Sequence, residues 1–297
     1  MAILHFSSSS PIFSTIIHSP RRKIRALRDS DKTHKNLITT DFVSSFSLCP
    51  CGRRHFLGAM PLLPISPSHA STSTEDLRRL LSPKPDWYEE LFAWLMNTGM
   101  ESYEKEISDY KTKLFDNLVG KAEKGLEIGI GTGPNFKYYT AIPNVYVIGV
   151  DPNAKMESYA RKSAAEAGLK SEDFTFIHAL GESIPLEDAS VDAVVGTLVL
   201  CSVTDVTRTL NEIKRILRPG GIYLFIEHVA AEDGTFLRLV QNVLDPLQQV
   251  VADGCHLTRH TGESILEARF NGGADVNKAS ISSVAYISSH VYGIAYS

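Results

Sequence analysis

The chain has 297 residues, 43% of which are hydrophobic, and its formal net charge is −4. It has no stretch of about eighteen consecutive apolar residues, so no transmembrane helix is expected. The charge is unevenly distributed, because residues 75–297 carry −10. An acidic domain repels phosphates, so nucleic acid is not expected as a partner.

The first 74 residues differ in composition from the rest of the chain. They contain nine Lys or Arg, only three acidic residues and fourteen serines, with SSSS at 7–10 and RRKIR at 21–25. A basic, serine-rich and acid-poor leader is typical of an organelle transit peptide and is not expected to fold. Residues 1–74 are therefore predicted to be a disordered plastid transit peptide that directs the protein to the chloroplast.

A second targeting signal follows within the leader. The twin arginines at 53–54 precede the modestly apolar stretch 57–66, and small residues at Ser68 and Ala70 suit a signal peptidase. This arrangement predicts export to the thylakoid lumen. Three prolines make the apolar stretch a poor helix. The alternative is therefore a location on the stromal thylakoid surface or on plastid lipid droplets (plastoglobules).

Residues 75–120 are predicted to form entry helices ahead of the main domain. Both tryptophans lie in DWYEELFAWLM at 86–96, where Trp87 and Trp94 share one helical face with Leu91 and Leu95. The preferred interpretation is that this face packs against the sheet. The alternative is that the helix lies on a membrane surface or shields the active site.

A glycine-rich turn follows the first predicted strand. In KGLEIGIGTG, residues 124–133, an apolar run leads into Gly129, Gly131 and Gly133. Glycines at such a turn let the backbone approach a nucleotide closely. Asp151 ends the next apolar run, twenty residues beyond Gly131, where a carboxylate can accept both hydroxyls of a ribose. These features predict a site for a nucleoside cofactor.

The glycine pattern identifies the class of cofactor. A dinucleotide fingerprint would need glycine at position 134, which is Pro134. The pattern that begins at Glu127 resembles motif I of class I methyltransferases that use S-adenosyl-L-methionine (SAM). The resemblance implies that Glu127 helps to hold the methionine end of SAM, and that the glycine turn passes under its ribose and amino-acid portion.

Residues 178–203 resemble the third and fourth strand region of these enzymes. The resemblance implies that Gly181, Glu182 and Leu198 also belong to the cofactor site. Many relatives place an Asp against the adenine amino group, where this chain has Leu180. Adenine recognition is then expected to rest on backbone groups near Gly181 and on side-chain packing.

Residues 121–297 are predicted to form the SAM-dependent methyltransferase domain. Apolar runs alternate with amphipathic segments, which indicates a doubly wound α/β fold. The class I methyltransferase (Rossmann-like) resemblance implies seven strands, with the last one antiparallel. The strands are expected near 124–130, 145–150, 173–178, 191–197, 221–228, 276–287 and 290–296.

More specific resemblances point to one group of enzymes. The chain resembles the animal thiol S-methyltransferases of the methyltransferase-like group over roughly residues 86–297, in a plant plastid-targeted form. The resemblance implies methyl transfer to a small apolar acceptor, most of all a thiol or hydrogen sulfide. The alternatives are a C- or O-methyltransferase of a prenylated quinol or other plastid lipid, and a non-catalytic SAM-binding or lipid-droplet protein. The matching segments are KLFDNLVG at 113–120, GTGPNFKYY at 131–139, DPN at 151–153, TLVLCSV at 197–203, EHVA at 227–230, LDP at 244–246 and DGCHLTR at 253–259.

Two residues are candidates for a catalytic base. His228 follows the fifth predicted strand, and Asp253 lies in DGCH; each also has a structural interpretation, as a hydrogen-bonded histidine and as a turn residue. Cys201 and Cys255 lack metal-ligand spacing, so no metal site is expected. The apolar stripe at 232–251 is predicted to be core, with a substrate-pocket lining as the alternative.

Overall fold

The computed structural model describes residues 84–297. The predicted leader at 1–74, with its transit peptide and twin arginines, lies outside the described residues. The same holds for residues 75–83, which were expected to begin the entry helices.

A seven-stranded sheet forms the centre of the domain, in the order β3-β2-β1-β4-β5-β7-β6. The first five strands pair in parallel, whereas β7 runs antiparallel between β5 and β6. This confirms the predicted doubly wound α/β fold with a final antiparallel strand. The strands are β1 (Lys124–Ile128), β2 (Tyr146–Asp151), β3 (Phe174–His178), β4 (Val191–Thr197), β5 (Leu217–His228), β6 (Ala274–Ser280) and β7 (Ser289–Tyr296).

Seven α-helices accompany the sheet within the described residues. Two of them precede β1. The helices are α1 (Asp86–Gly99), α2 (Glu101–Phe115), α3 (Phe136–Tyr139), α4 (Met156–Ala167), α5 (Val206–Ile216), α6 (Phe236–Val251) and α7 (Thr261–Glu267).

Two strand predictions were inaccurate. β6 ends at Ser280, and a short 3-10 turn occupies 285–287, where a longer strand was predicted. β5 begins at Leu217, four residues before the predicted start, because Leu217 already pairs with Val191; the Pro-Gly-Gly segment that follows lies unpaired in a shift of register, and pairing resumes between Ile222 and Ala193. Proline after a helix prevents its continuation, so α5 ends at Ile216.

Both faces of the sheet are covered, as side chains alternate along each strand. In β5, Tyr223 and Phe225 face the cluster that contains residues of α5 and α7. Leu224 and Ile226 face the opposite cluster, which contains residues of α2, α3 and α4. The central strands are therefore buried on both sides, and their carboxyl ends meet at one edge.

The apolar stripe of α6 does not form core as predicted. Phe236 and Val243 are 80% and 70% exposed, and the one fully buried side chain of the helix is the polar Gln241. Gln241 accepts a hydrogen bond from the Ala231 backbone and donates to the Tyr286 carbonyl. The helix therefore turns its polar glutamine inward and leaves an apolar face on the surface.

The tryptophan face of α1 is exposed as well, so the preferred interpretation that it packs against the sheet was wrong. Trp87 and Trp94 are 67% and 51% exposed, and Ala93 is the one buried residue of the helix. The opposite side of α1 contributes Phe92 and Met96 to the wall of a cavity. Within residues 84–297 no helix combines the length and the hydropathy needed to cross a membrane.

Candidate active site

A cavity of about 440 Å³ lies at the carboxyl ends of β1, β2 and β4. In an open α/β sheet this edge is where ligands bind, because the strand order changes direction there. Seven of the eight residues predicted to bind the cofactor line the cavity. They are Glu127, Gly129, Gly131, Asp151, Gly181, Glu182 and Leu198.

The three glycines of the turn after β1 have different functions. A Cβ atom on Gly129 would lie 2.8 Å from the Val199 side chain, and a Cβ on Gly131 would meet nothing closer than 3.9 Å. Gly133 is absent from the cavity wall, and its Cβ would lie 2.6 Å from Cδ2 of Phe136. Gly133 therefore serves the packing of the turn onto α3, and Gly131 leaves open space for a ligand.

Asp151 ends β2 and reaches back to the glycine turn. Its two carboxylate oxygens accept hydrogen bonds of 2.9 Å from the backbone N–H groups of Asn153 and Gly131. Burial raises the pKa of Asp151 to about 6, and these two hydrogen bonds oppose that rise. The carboxylate is thus fixed at the cavity wall with lone pairs remaining for the hydroxyls of a ribose.

Glu127 lies on β1 at the other end of the cavity. Its Oε1 accepts a hydrogen bond of 2.9 Å from the Asn135 amide, whereas its buried Oε2 has no partner. Burial raises the pKa of Glu127 to about 7. A buried carboxylate oxygen without a hydrogen-bond partner needs a donor, and because Glu127 lines the cavity the α-ammonium of SAM fits that need.

The wall expected to face adenine comes from the segment after β3. A Cβ on Gly181 would lie 3.1 Å from Ile128, so a larger residue would not fit without a shift. Glu182 borders the cavity, but its Oε1 accepts the backbone N–H groups of Thr204 and Asp205. The Glu182 carboxylate therefore holds the loop that leads into α5, which leaves Leu180 and backbone groups to face a ligand.

Two helices close the cavity opposite the sheet. Phe92, Met96 and Met100 contribute apolar side chains, and Glu104 of α2 contributes a carboxylate. The fully buried ammonium of Lys111 donates to both oxygens of Glu104 at 2.8 Å. This pair fixes Glu104 at the cavity and gives the α2 wall a single orientation.

The two candidate bases differ in position. Asp253 lines the cavity, has a φ of 53°, and forms an ion pair with Lys84. His228 is buried and does not line the cavity; its Nε2 lies 3.0 Å from Sγ of Cys255, and its Nδ1 has no partner. Because His228 faces away from the cavity, its placement does not support direct action on a substrate.

Several site residues were not identified from the sequence. Asn135 orients Glu127, as described above. Buried Glu227 accepts the backbone N–H groups of Val199 and Leu200, and Arg259 donates to the carbonyls of Leu200 and Val203 at 2.6 Å. Together they fix the segment after β4 that forms one cavity wall. The only signal in the sequence was that Glu227 and Arg259 lie in EHVA and DGCHLTR, two segments that resemble the family; neither residue was assigned a role.

A family model described as a methyltransferase domain matches residues 126–225. Thiol S-methyltransferase TMT1A from Homo sapiens is 41% identical over 200 residues, which are 65% of this chain and 80% of that protein. Thiol S-methyltransferase TMT1B from Rattus norvegicus is 42% identical over 189 residues, which are 61% and 75% of the respective chains. A SAM-dependent methyltransferase from Thermotoga maritima has the same fold, with a TM-score of 0.50 at 19% identity over 71% of this chain and 99% of that chain.

These similarities agree with the site geometry. Glu127, Gly131 and Asp151 suit the ammonium, the backbone approach and the ribose of SAM, which supplies an electrophilic methyl group when bound. The relatives do not favour the quinol or non-catalytic alternatives. The chain is a SAM-dependent methyltransferase, and it belongs to the family of the thiol S-methyltransferases.

Proposed function

We propose that the enzyme methylates the sulfur of a small apolar thiol or of hydrogen sulfide. Similarity to the thiol S-methyltransferases supports this acceptor class. The apolar side of the cavity also supports it, because Phe92, Met96, Met100, Leu198 and Val203 would contact an apolar acceptor.

One observation carries the proposal. Among the described residues, no histidine, lysine, arginine, tyrosine or cysteine lines the cavity. A phenol or a carbon acid must lose a proton that is hard to remove, so it needs a strong base. A thiol with a pKa of about 8.5 is already a few per cent thiolate at neutral pH, so it needs little more than correct placement.

The residues of this chain then act mainly by positioning. Glu127, Asp151 and the glycine turn hold the methyl donor, and the apolar wall excludes water from the acceptor sulfur. The cavity residues would hold the thiolate sulfur in line with the methyl group of bound SAM, which would supply the methyl carbon while the donor sulfur keeps the electron pair of the broken bond. Asp253, the carboxylate at the cavity wall near Lys84, accepts the thiol proton or passes it to solvent.

A labelling experiment tests the acceptor. The full chain is mixed with methyl-labelled SAM and a panel of alkyl thiols, sulfide and prenylated quinols, and products are identified by mass spectrometry. Label on sulfur is expected for the wild type and for Glu187→Ala, an exposed carboxylate outside the cavity. Asp151→Ala should label little or no acceptor at SAM concentrations near the wild-type Kd. Label on a quinol, or no label although SAM binds, would overturn the thiol assignment.

We also propose that the protein acts in the chloroplast, on the basis of the leader composition alone. Import into isolated chloroplasts followed by protease treatment of thylakoids tests this. Protection that is lost when Arg53 and Arg54 are both changed to Lys would support the lumen. Digestion of the wild type would support the stromal thylakoid surface or plastid lipid droplets, and failure of import would overturn the proposal.

Peripheral membrane association is a further part of the proposed function. Hydroxyl Oη of Tyr88 donates to the Val250 carbonyl at 3.1 Å, so α1 and α6 are in contact. Both helices carry exposed apolar side chains, and together these form what we call the apolar face. It consists of Trp87, Leu91, Trp94 and Leu95 of α1, and Phe236, Leu239, Val243, Leu247, Val250 and Val251 of α6. An exposed apolar area of this kind marks a contact with lipid or protein, and paired tryptophans suit a membrane interface.

A further inference from the structure

Three potential metal ligands meet outside the cavity, although their spacing in the sequence gave no indication of it. Cys201 follows β4, His228 ends β5, and Cys255 follows α6. All three are buried, and one ligand atom from each lies within 4.8 Å of the other two. Both cysteines are free thiols. The expectation of no metal site rested on the spacing within single segments, which cannot detect ligands that come from three segments.

The surroundings of Cys255 suit a negatively charged sulfur, whereas the thiol of Cys201 donates to the Leu198 carbonyl at 3.3 Å and must release its proton to bind an ion. Nε2 of His228 lies 3.0 Å from Sγ of Cys255, and the side-chain amide of Gln248 lies 3.6 Å from the same sulfur. The hydroxyl of Ser202 lies 3.5 Å from Sγ of Cys201. These polar groups are more than two buried apolar cysteines require. With His228 as a ligand, the Gln248 amide and the Ser202 hydroxyl remain as outer hydrogen-bond partners of the two sulfurs.

We propose that Cys201, His228 and Cys255 bind a zinc ion. Two thiolates and one imidazole are donors that Zn²⁺ prefers, and Cys₂His is a known ligand set for an ion that keeps one position open. Burial does not oppose the bound ion, because Zn²⁺ with two thiolates and a neutral imidazole is electrically neutral once both thiols have released their protons.

The position of the cluster gives the ion a role in the enzyme. Val199 and Ser202 flank Cys201 and line the cavity, and Asp253, two residues before Cys255, lines it too. The backbone N–H of His256 already donates to the Cys201 carbonyl at 2.9 Å, joining the two loops. An ion bound to all three ligands would fix the loop after β4 to the loop after α6, and so hold the acceptor side of the cavity in one shape.

Cobalt titration tests the site directly. The host is the full chain with Cys49→Ser and Cys51→Ser, so that Cys201 and Cys255 are the only thiols. Reduced, metal-free protein should bind about one Co²⁺ per chain, with a near-ultraviolet thiolate-to-cobalt absorption that Zn²⁺ removes by displacement. Cys201→Ser and Cys255→Ser should each weaken cobalt binding at least about 100-fold, since even the loss of an outer partner costs 10–100-fold.

His256→Ala is the matched control, because His256 follows Cys255 directly and its backbone N–H donates to the Cys201 carbonyl, whereas its ring lies 3.7 Å from Asp245. It should bind cobalt as the host does. Protection of the two thiols from alkylation by Zn²⁺ gives a second measurement in the host itself, which does not depend on the folding of a variant. The proposal is overturned if the thiol-intact host binds no cobalt and Zn²⁺ gives no protection. A Cys201–Cys255 disulfide in place of ion binding would assign the cluster to redox chemistry and overturn it equally.

Discussion

Asn153 is hydrogen-bonded to Glu89: its side-chain amide donates to the Glu89 carbonyl at 3.1 Å. Asn153 is buried and follows Asp151 by two residues, and Glu89 lies in α1. The contact therefore joins the helix that covers the cavity to the turn that holds the ribose carboxylate. We expect cofactor exchange to involve movement of α1, so this hydrogen bond should affect how fast SAM leaves.

Changing Asn153 to Asp should speed SAM dissociation. Aspartate keeps the acceptor for the Lys155 backbone N–H but cannot donate to Glu89. The loss of one hydrogen bond of about 0.5–1.5 kcal/mol, which aspartate would replace with an unfavourable contact between two oxygens, should raise the dissociation rate about 2–10-fold or more. Stopped-flow displacement of SAM measures it. An unchanged rate would mean that α1 does not limit release.

Loss of Asp151 should weaken SAM binding more than any single change in α1, the helix that covers the cavity. Two ribose hydrogen bonds to a carboxylate are worth about 2–4 kcal/mol, so Asp151→Ala should raise the Kd for SAM about 30-fold to 1000-fold. Isothermal titration calorimetry measures this, and Glu187→Ala is the control for loss of an exposed carboxylate. Normal SAM affinity in Asp151→Ala would refute the ribose assignment.

The sheet and the cavity residues at its carboxyl edge could be predicted from the sequence, because both depend on local patterns. An apolar run, a glycine turn and a carboxylate at the end of the next strand are fixed by short stretches of chain, and Glu127, Gly131 and Asp151 lie at the cavity as expected. Sheet topology explains why these residues meet, since parallel strands bring their carboxyl ends to one edge.

The direction in which a side chain points, and whether an apolar helix face is buried, could not be predicted from such local patterns. An apolar stripe at helical spacing identifies one face of α6, but whether another element covers that face depends on tertiary packing, and nothing in the domain covers Phe236 or Val243. Similarly, His228 ends the correct strand but points to Cys255, a residue 27 positions away. Contacts between distant segments carry no signal in a single sequence.

The pH dependence of stability should reveal the buried carboxyl of Glu127. Its folded pKa of about 7 lies above its ordinary value, so the folded protein holds a proton that the unfolded chain has released. This contribution to the free energy of unfolding of the SAM-free protein is present at low pH and is lost as pH rises through about 7. Glu127→Gln should therefore gain stability relative to wild type between pH 5 and pH 8, on the order of 2 kcal/mol.

Urea unfolding of the SAM-free proteins at several pH values measures the difference. Glutamine keeps a carbonyl acceptor for the Asn135 amide, so the comparison isolates the charge. The same variant should bind SAM more weakly, because the neutral amide cannot pair with an ammonium group. Parallel stability profiles for wild type and Glu127→Gln would contradict the raised pKa.

Gly133 should be intolerant of alanine for a packing reason. Its φ of 78° disfavours any Cβ, and a Cβ there would lie 2.6 Å from Cδ2 of the Phe136 ring. Gly168 has a φ of 90° but nothing within 4 Å, so Gly168→Ala carries only the backbone cost. That cost is about 1–2 kcal/mol, and Gly133→Ala should lose about 1–3 kcal/mol more through overpacking. Equal losses in urea unfolding would contradict the proposed steric role.

The apolar face should bind lipid through hydrophobic contact and not through charge. Its helix α1 carries Asp86, Glu89 and Glu90, so anionic lipid should offer no advantage. Replacing Trp87 and Phe236 by Ser removes two large apolar groups, each worth about 1.5–3 kcal/mol when fully buried, and should lower binding to uncharged phosphatidylcholine vesicles at least about tenfold. Leu266→Ser is the control, because that exposed leucine belongs to α7. Sedimentation with vesicles measures binding. Salt-sensitive binding to anionic vesicles alone, or equal binding by the double variant, would contradict the hydrophobic assignment.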